Sequence, residues 1–286
     1  MKKIIAMILA FATIVACTFG LTSCGKELVG FDIDLAREVG KKLDIEIEFV
    51  EINWDTKEAD LESKNIDVVW NGFTYTEDRD NGYYDTDRQK QIGGLQFSDF
   101  YMENRQVAVV KKDAFYTNND SMKAASFVAE ATSAGEKTVK DIFGATANPV
   151  EKQLDALVGV QAGTYDVAVL DLSLASEYVV NEKGAYHNSL KVIDIEGVES
   201  EYYAIGFREG SNLAEVFNNV LAGLYADGTA ERIAKAYAQD AALYNGFGDY
   251  DASYTLPTDG DWADVKAKGK IVIGYTIFAP MAYIPE

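Results

Sequence analysis

The sequence predicts an α/β protein built on doubly wound, mostly parallel sheets, and three observations predict it. Short β-branched runs alternate with segments of helical periodicity along most of the chain, the pattern of parallel strands with crossover helices. The run 66–70 ends in Asn71-Gly72, and Thr76-Glu77-Asp78 then has the form of a helix start, a capping hydroxyl followed by first-turn acids. Of the 286 residues 48% are hydrophobic, enough for one large core or two of ordinary size.

The elements follow in order. Leu28-Val29-Gly30-Phe31-Asp32 leads into a helix with Asp32 as the expected N-cap and Ile33, Ala36, Val39 and Leu43 at helical spacing. Residues 45–49 alternate as a strand, 56–64 form a helix, and 66–70 make the next strand. Residues 80–96 are polar and broken by Asn-Gly, Asp-Thr-Asp and Gly-Gly, the marks of an excursion loop. Asp78-Arg79-Asp80-Asn81-Gly82 has a partial calcium-loop pattern. Its glycine comes one place early and Gln89 stands where the closing Glu belongs, so it is set aside. Strands are expected at 106–110, 127–131, 165–170, 190–195 and 202–207. Helices are expected from the turn 132–136, at 150–160, at 172–180, along the Leu213, Val216, Val220, Leu221, Leu224 stripe to Gly228, and at 230–238. Residues 239–261 have no periodicity and are expected to be a linker, after which 271–274 has the signal of a buried strand.

Composition narrows the partners. The net charge is −20 and the pI is near 4.4, so nucleic acid or an anionic bilayer would be repelled. Met1-Lys2-Lys3 followed by a short apolar run has the form of a secretory leader. No later apolar run reaches the ~20 residues that a spanning helix needs. The only cysteines are Cys17 and Cys24. Cleavage at Cys24 would leave one thiol, which excludes a disulfide framework.

Ligands of such sheets sit beyond the C-terminal ends of the strands, where Trp54, Asn71, Gly72, Thr74 and Arg79 fall. Backbone N–H groups there, the Thr74 hydroxyl and the Arg79 guanidinium could converge on a carboxylate. An ordinary strand–helix junction with a surface arginine has the same pattern. The N-terminus of the helix entered through 132–136 is a second potential anion site. Asp171, at the end of a strand, suits an ammonium partner, or equally an N-cap for 172–180. Trp54, Trp70 and Phe278 suggest an apolar wall.

Taken together, Leu28-Val29-Gly30-Phe31-Asp32-Ile33-Asp34-Leu35-Ala36, the stretch 72–79, Phe97-Ser98-x-x-Tyr101, Gly163-Thr164-Tyr165-Asp166 through Asp171, and Tyr225-Ala226-Asp227-Gly228-Thr229 resemble motifs of the polar amino-acid-binding proteins of bacterial ABC importers, in their usual order. Leu21-Thr22-Ser23-Cys24-Gly25 resembles a lipobox, with Ile14-Val15-Ala16-Cys17 a weaker competitor. The resemblance implies two doubly wound α/β lobes joined by hinge strands, the type II periplasmic-binding-protein-like architecture. A signal peptide at 1–23 would precede lobe 1 at 24–109 and 203–286, which includes the linker 239–261, and lobe 2 at 110–202. The stretch 270–282 resembles the first strand and ligand loop, which in that family come before Leu28; here they come last. Joining residue 286 to Gly25 restores the usual order, so a circular permutation is expected. The linker, at up to ~3.3 Å per residue, can bridge the former termini.

The resemblance also implies roles. Arg79 would hold a ligand α-carboxylate in a bidentate pair, helped by Gly72 backbone and Thr74, with the Ser133 and Ala134 backbone on the other side. Asp171 would receive the α-ammonium, Phe278 would cover the ligand, and Trp54 would form a second wall. An insertion separates Arg79 from Phe97, which makes Arg88 a competing carboxylate ligand. Thr132 stands where members often have Gly. The implied partners are a free amino acid, membrane permease and ATPase subunits, and a lipid anchor at Cys24; no cofactor or metal is implied. The main rival is a cleft lyase or hydrolyase of the same fold, and a second is a sensing domain. The chain has no Gly-x-Ser-x-Gly, no His-Glu-x-x-His and one histidine, His187, expected in a surface loop.

Overall fold

The computed structural model describes residues 27–86 and 89–285. The leader, Cys17, Cys24 and Arg88 lie outside the described residues. The first helix, Phe31–Leu43, starts one residue before the expected cap. Gly30 occupies the cap at φ 141, where a Cβ would collide with the Met281 carbonyl. Asp32 therefore lies inside the first turn and is buried, with its carboxylate turned inward.

Strand β1 (Glu46–Glu51) is followed by a 3-10 turn at Trp54–Thr56 and the helix Lys57–Glu62. Strand β2 is reduced to Val68–Val69, and the helix Glu77–Asn81 follows. The expected excursion loop contains a hairpin, β3 (Tyr83–Asp85) with β4 (Lys90–Ile92), and then β5 (Leu95–Phe97). Strand β6 (Met102–Asn104) crosses to the second lobe, where β7 (Gln106–Lys111), β8 (Phe127–Glu130), β9 (Asn148–Val150), β10 (Val167–Asp171) and β11 (Leu190–Asp194) form one sheet. The helix Ala134–Phe143 follows β8, and Gln153–Ala162 follows β9. Strand β12 (Glu201–Tyr203) returns antiparallel to β6. Strand β13 (Gly206–Arg208), the helices Leu213–Ala226, Thr229–Ala236 and Gly260–Lys268, and β14 (Lys270–Tyr275) complete the first lobe.

The sheet orders are β1-β14-β2-β13-β5 and β11-β7-β10-β8-β9. Each is mixed rather than mostly parallel. In the first, β1, β14 and β2 are parallel and β13 runs against both neighbours. In the second, β10, β8 and β9 are parallel and β7 runs against β10 and β11. Strands β7 and β13 are those by which the chain enters each lobe from the β6/β12 ribbon, so they run opposite to strands fed by crossover helices. The expected strand 202–207 is therefore two strands, one in the ribbon and one in the sheet.

Strand β14 sits in the centre of the first sheet with Ile271 and Ile273 fully buried. The helix before it, absent from the sequence reading, buries Trp262 and Val265. Asp67 fixes this layer: both its oxygens accept from Lys268 Nζ at 2.9 Å, one accepts from the Val272 N–H at 3.0 Å, and Arg208 lies 3.5 Å away. Beyond β14, Tyr283 and Val29 exchange backbone hydrogen bonds of 2.9 and 2.8 Å, and the Phe31 N–H donates to the Pro280 carbonyl at 2.9 Å. Among the described residues no helix is long and apolar enough to cross a membrane.

Candidate functional site

Local capping aims the two lobes at each other. The Thr76 hydroxyl accepts from the Arg79 N–H at 3.1 Å, as the sequence predicts, and starts a helix at the mouth of the first sheet. On the opposite lobe the Ser133 hydroxyl accepts from the Glu136 N–H at 3.1 Å and opens the helix Ala134–Phe143. Between them lies one cavity of about 20 Å³, room for roughly one water. The structure is thus a closed form, and any amino acid would have to enter by separation of the lobes.

All eight residues singled out as ligand-binding, Trp54, Gly72, Thr74, Arg79, Ser133, Ala134, Asp171 and Phe278, line this cavity. Arg79 is 8% exposed. Its Nη1 donates to the Thr74 carbonyl at 2.5 Å and its Nη2 crosses the cleft to the Thr132 carbonyl at 3.0 Å. A guanidinium has five N–H donors, so these two bonds orient it and leave others for an anion. Burial pulls its pKa below the ordinary value, and Glu58 opposes that most strongly.

Two details differ from expectation. The Gly72 N–H donates inward to Asp32 Oδ2 at 2.7 Å, so it is committed to the buried carboxylate that the Tyr101 hydroxyl also reaches at 3.0 Å. Gly72 contributes its missing side chain instead: at φ +57 a Cβ would lie 2.5 Å from Phe278 Cε1. Trp70 is not a wall of the cavity; its ring packs in the core against Tyr101 and Phe217.

Asp171 stands at the N-cap position of the turn Leu172–Ala175 but makes no side-chain capping bond. Its carboxylate accepts instead from Gln106 at 2.7 Å and from the Asn104 and Gln153 amides. Burial raises its pKa and these amides oppose the rise. Arg79 is electrostatically coupled to it across the gap.

Three polar residues, Glu201, Glu130 and Lys57, escaped the sequence reading, and Asn71 was placed by it without a role. Glu201, on hinge strand β12, accepts from Gln106 at 2.9 Å and the Thr74 hydroxyl at 3.2 Å; burial pushes it up to about 7. Glu130 ends β8 and lines the cavity, and burial pushes it up to about 8. Asn71 donates to the Thr276 hydroxyl at 3.0 Å, while its buried Oδ1 has no partner. Lys57 is fully buried beside Glu58 at 3.0 Å, and its Nζ donates across the cleft to the Thr132 hydroxyl at 3.1 Å. Thr132 holds φ +59, a conformation that favours glycine, and it bonds both Lys57 and Arg79 of the facing lobe. His187 lies outside the cavity lining, with Nδ1 3.1 Å from the Val179 carbonyl. Among the described residues no His, Cys, Asp and Glu cluster could hold a metal.

Residues 17–240 match the bacterial extracellular solute-binding proteins, family 3. The L-cystine-binding protein TcyA of Bacillus subtilis is 32% identical over 218 residues, covering 74% of this chain and 73% of that protein. The arginine-, lysine-, histidine-binding protein ArtJ of Geobacillus stearothermophilus superposes with a TM-score of 0.67 at 26% identity, over 77% of this chain and 89% of ArtJ. The ancestral amino acid-binding protein AncCDT-1, a precursor of cyclohexadienyl dehydratase, superposes at 0.62 with 26% identity, over 72% and 84%. A family match over most of the chain and the two-lobed fold lead to one conclusion: this chain belongs to family 3 of the bacterial extracellular solute-binding proteins.

Proposed function

We propose that the protein is the extracytoplasmic solute-binding component of an amino-acid ABC importer, which clasps a free polar amino acid and delivers it to a membrane permease. The observation that carries this reading is the pair of opposite charges that the two lobes turn toward one cavity, Arg79 from the first and Asp171 from the second. Arg79 takes the α-carboxylate, with Thr74, Ser133 and Ala134 around it, and Asp171 takes the α-ammonium. Phe278 and Trp54 cover the apolar part. Each lobe supplies half of the partners, so closure satisfies a zwitterion and excludes water together. Arg79 is the carboxylate ligand rather than Arg88, on the support of its buried position beside the Thr76 cap.

The leader and Cys24 support a lipid anchor on the outer face of the membrane. The order of elements, with the central strand β14 after all others and Tyr283 paired to Val29, supports a circularly permuted chain. That joins lobe 1 from its N- and C-terminal parts around lobe 2.

Buried carboxyls with raised pKa values, Glu130 and Glu201, are also what a cleft lyase would use, and AncCDT-1 stands at the start of such a lineage. Calorimetry with a panel of amino acids, followed by mass spectrometry of the recovered ligand, separates the two. Binding with unchanged ligand is expected; conversion of the ligand would overturn the transport reading.

A further inference from the structure

The charges in the cavity do not cancel once a zwitterion is in place. Arg79 and Asp171 are consumed by the ligand's α-carboxylate and α-ammonium. Glu130, 4% exposed, is then the lining carboxyl that remains. Burial and Asp171 disfavour its charged form, and Lys57, Gln153 and Arg79 favour it. Lys57 is spent elsewhere, with Glu58 at 3.0 Å, the Trp54 carbonyl at 3.1 Å and the Thr132 hydroxyl. On the facing wall, Asn71 Oδ1 is a second acceptor, buried and without a partner, on a side chain 3% exposed that lines the same cavity. An acceptor left so in a closed site costs free energy that a ligand donor recovers. The size of the closed space selects nothing, because the lobes are drawn together; the acceptors that line it do.

We propose that the ligand of this site is an amino acid with a cationic, N–H-rich side chain, and that Glu130 is the residue that selects it, with Asn71 as the neutral acceptor opposite. This rests on the amino-acid-binding reading above. It gives the raised pKa of Glu130 a role. A cationic side chain ionises that carboxyl in the closed site, whereas a neutral one of the same shape leaves it buried beside Asp171 and protonated.

Arginine and citrulline make the test, since they share shape and differ in charge. Calorimetry on the full mature chain at pH 7.5 is expected to give arginine at least tenfold tighter binding than citrulline. Glu130→Gln should cut arginine affinity at least tenfold and change citrulline affinity less than threefold. Arginine binding should release protons, read from the buffer dependence of the heat, and citrulline binding should not. Equal affinities for the two ligands in the wild type, or a ratio that Glu130→Gln leaves unchanged, would overturn the proposal while the importer reading stands. The wild-type ratio decides alone if the variant does not fold. Absence of binding by any amino acid would overturn both.

Discussion

Replacing Thr132 by glycine should separate closure from stability. The Thr132 hydroxyl sits 3.1 Å from Lys57 Nζ across the cleft and donates within its own lobe to the Ala131 carbonyl at 2.7 Å. A hydrogen bond to a charged group contributes about 1.5–3 kcal/mol, which is roughly a 10- to 150-fold change in affinity if the bond forms only on closing. Arg79 keeps its 3.0 Å bond to the residue's carbonyl, and Lys57 keeps Glu58 and the Trp54 carbonyl, so the loss across the cleft is that bond and a longer one, 3.4 Å, from the hydroxyl to the Trp54 carbonyl. The backbone moves in the opposite sense. A non-glycine residue at φ +59 carries a cost of about 1–2 kcal/mol, which glycine relieves, less about 0.5–1 kcal/mol of added freedom in the unfolded chain. Thr132→Gly should therefore weaken amino-acid binding at least tenfold by calorimetry while the ligand-free Tm stays level or rises slightly. Affinity within twofold of wild type would refute the latch, and a Tm lowered by more than about 3 °C would refute the backbone argument.

Other expectations follow from named contacts. Arg79→Ala or Asp171→Ala removes one side of a buried charge pairing worth about 3–5 kcal/mol when broken, so either should lose at least a hundredfold in affinity by calorimetry. Gly72→Ala must hold φ +57 and displace Phe278, whose ring would lie 2.5 Å from the new methyl; it should lose both Tm and affinity, at about 2–4 kcal/mol of stability. Asp67→Ala leaves Arg208 and Lys268 without their shared carboxylate and should cost about 3 kcal/mol in denaturant melts, with affinity unchanged within threefold. Glu201 and Asp32 are raised to about 7 and Glu130 to about 8. Carboxyls raised on folding stabilise fully below their ordinary values and lose that contribution as pH rises through the folded ones. The ligand-free Tm should thus fall between pH 5 and pH 9, and Glu201→Gln should flatten the fall.

What was legible in the sequence was local. Thr76 and Ser133 announce their helices by chemistry within one turn, and Asp171 is placed by the end of an apolar strand, so one residue from each lobe could be named. Strand β14 was legible as a buried apolar run, although its neighbours lie far off in sequence. The rest depends on partners that no local pattern encodes. Asp32 has every mark of an N-cap, yet Gly30 takes that place because the chain at Met281 passes too close for a side chain. Trp70 and Trp54 look alike as aromatics near a strand end; only packing sends one into the core and the other to the cavity. Glu201 lies on a hinge strand whose pairing with β6 is set by the crossover. Glu130 carried one overlooked signal, a carboxylate closing the otherwise apolar strand Phe-Val-Ala-Glu. The hairpin of β3 and β4 was hidden by turn residues that punctuate it, and the helix Gly260–Lys268 by the unpatterned stretch before it.

The central claim is that opposite charges on the two lobes grip the two ends of one zwitterion. It is tested most directly by calorimetric titration with the tightest-binding amino acid, its α-amide and its N-acetyl derivative, side by side. Loss of either end should weaken binding at least a hundredfold, because each lobe then closes on a buried charge without its counterpart. A blocked derivative that binds as tightly as the parent would contradict the account.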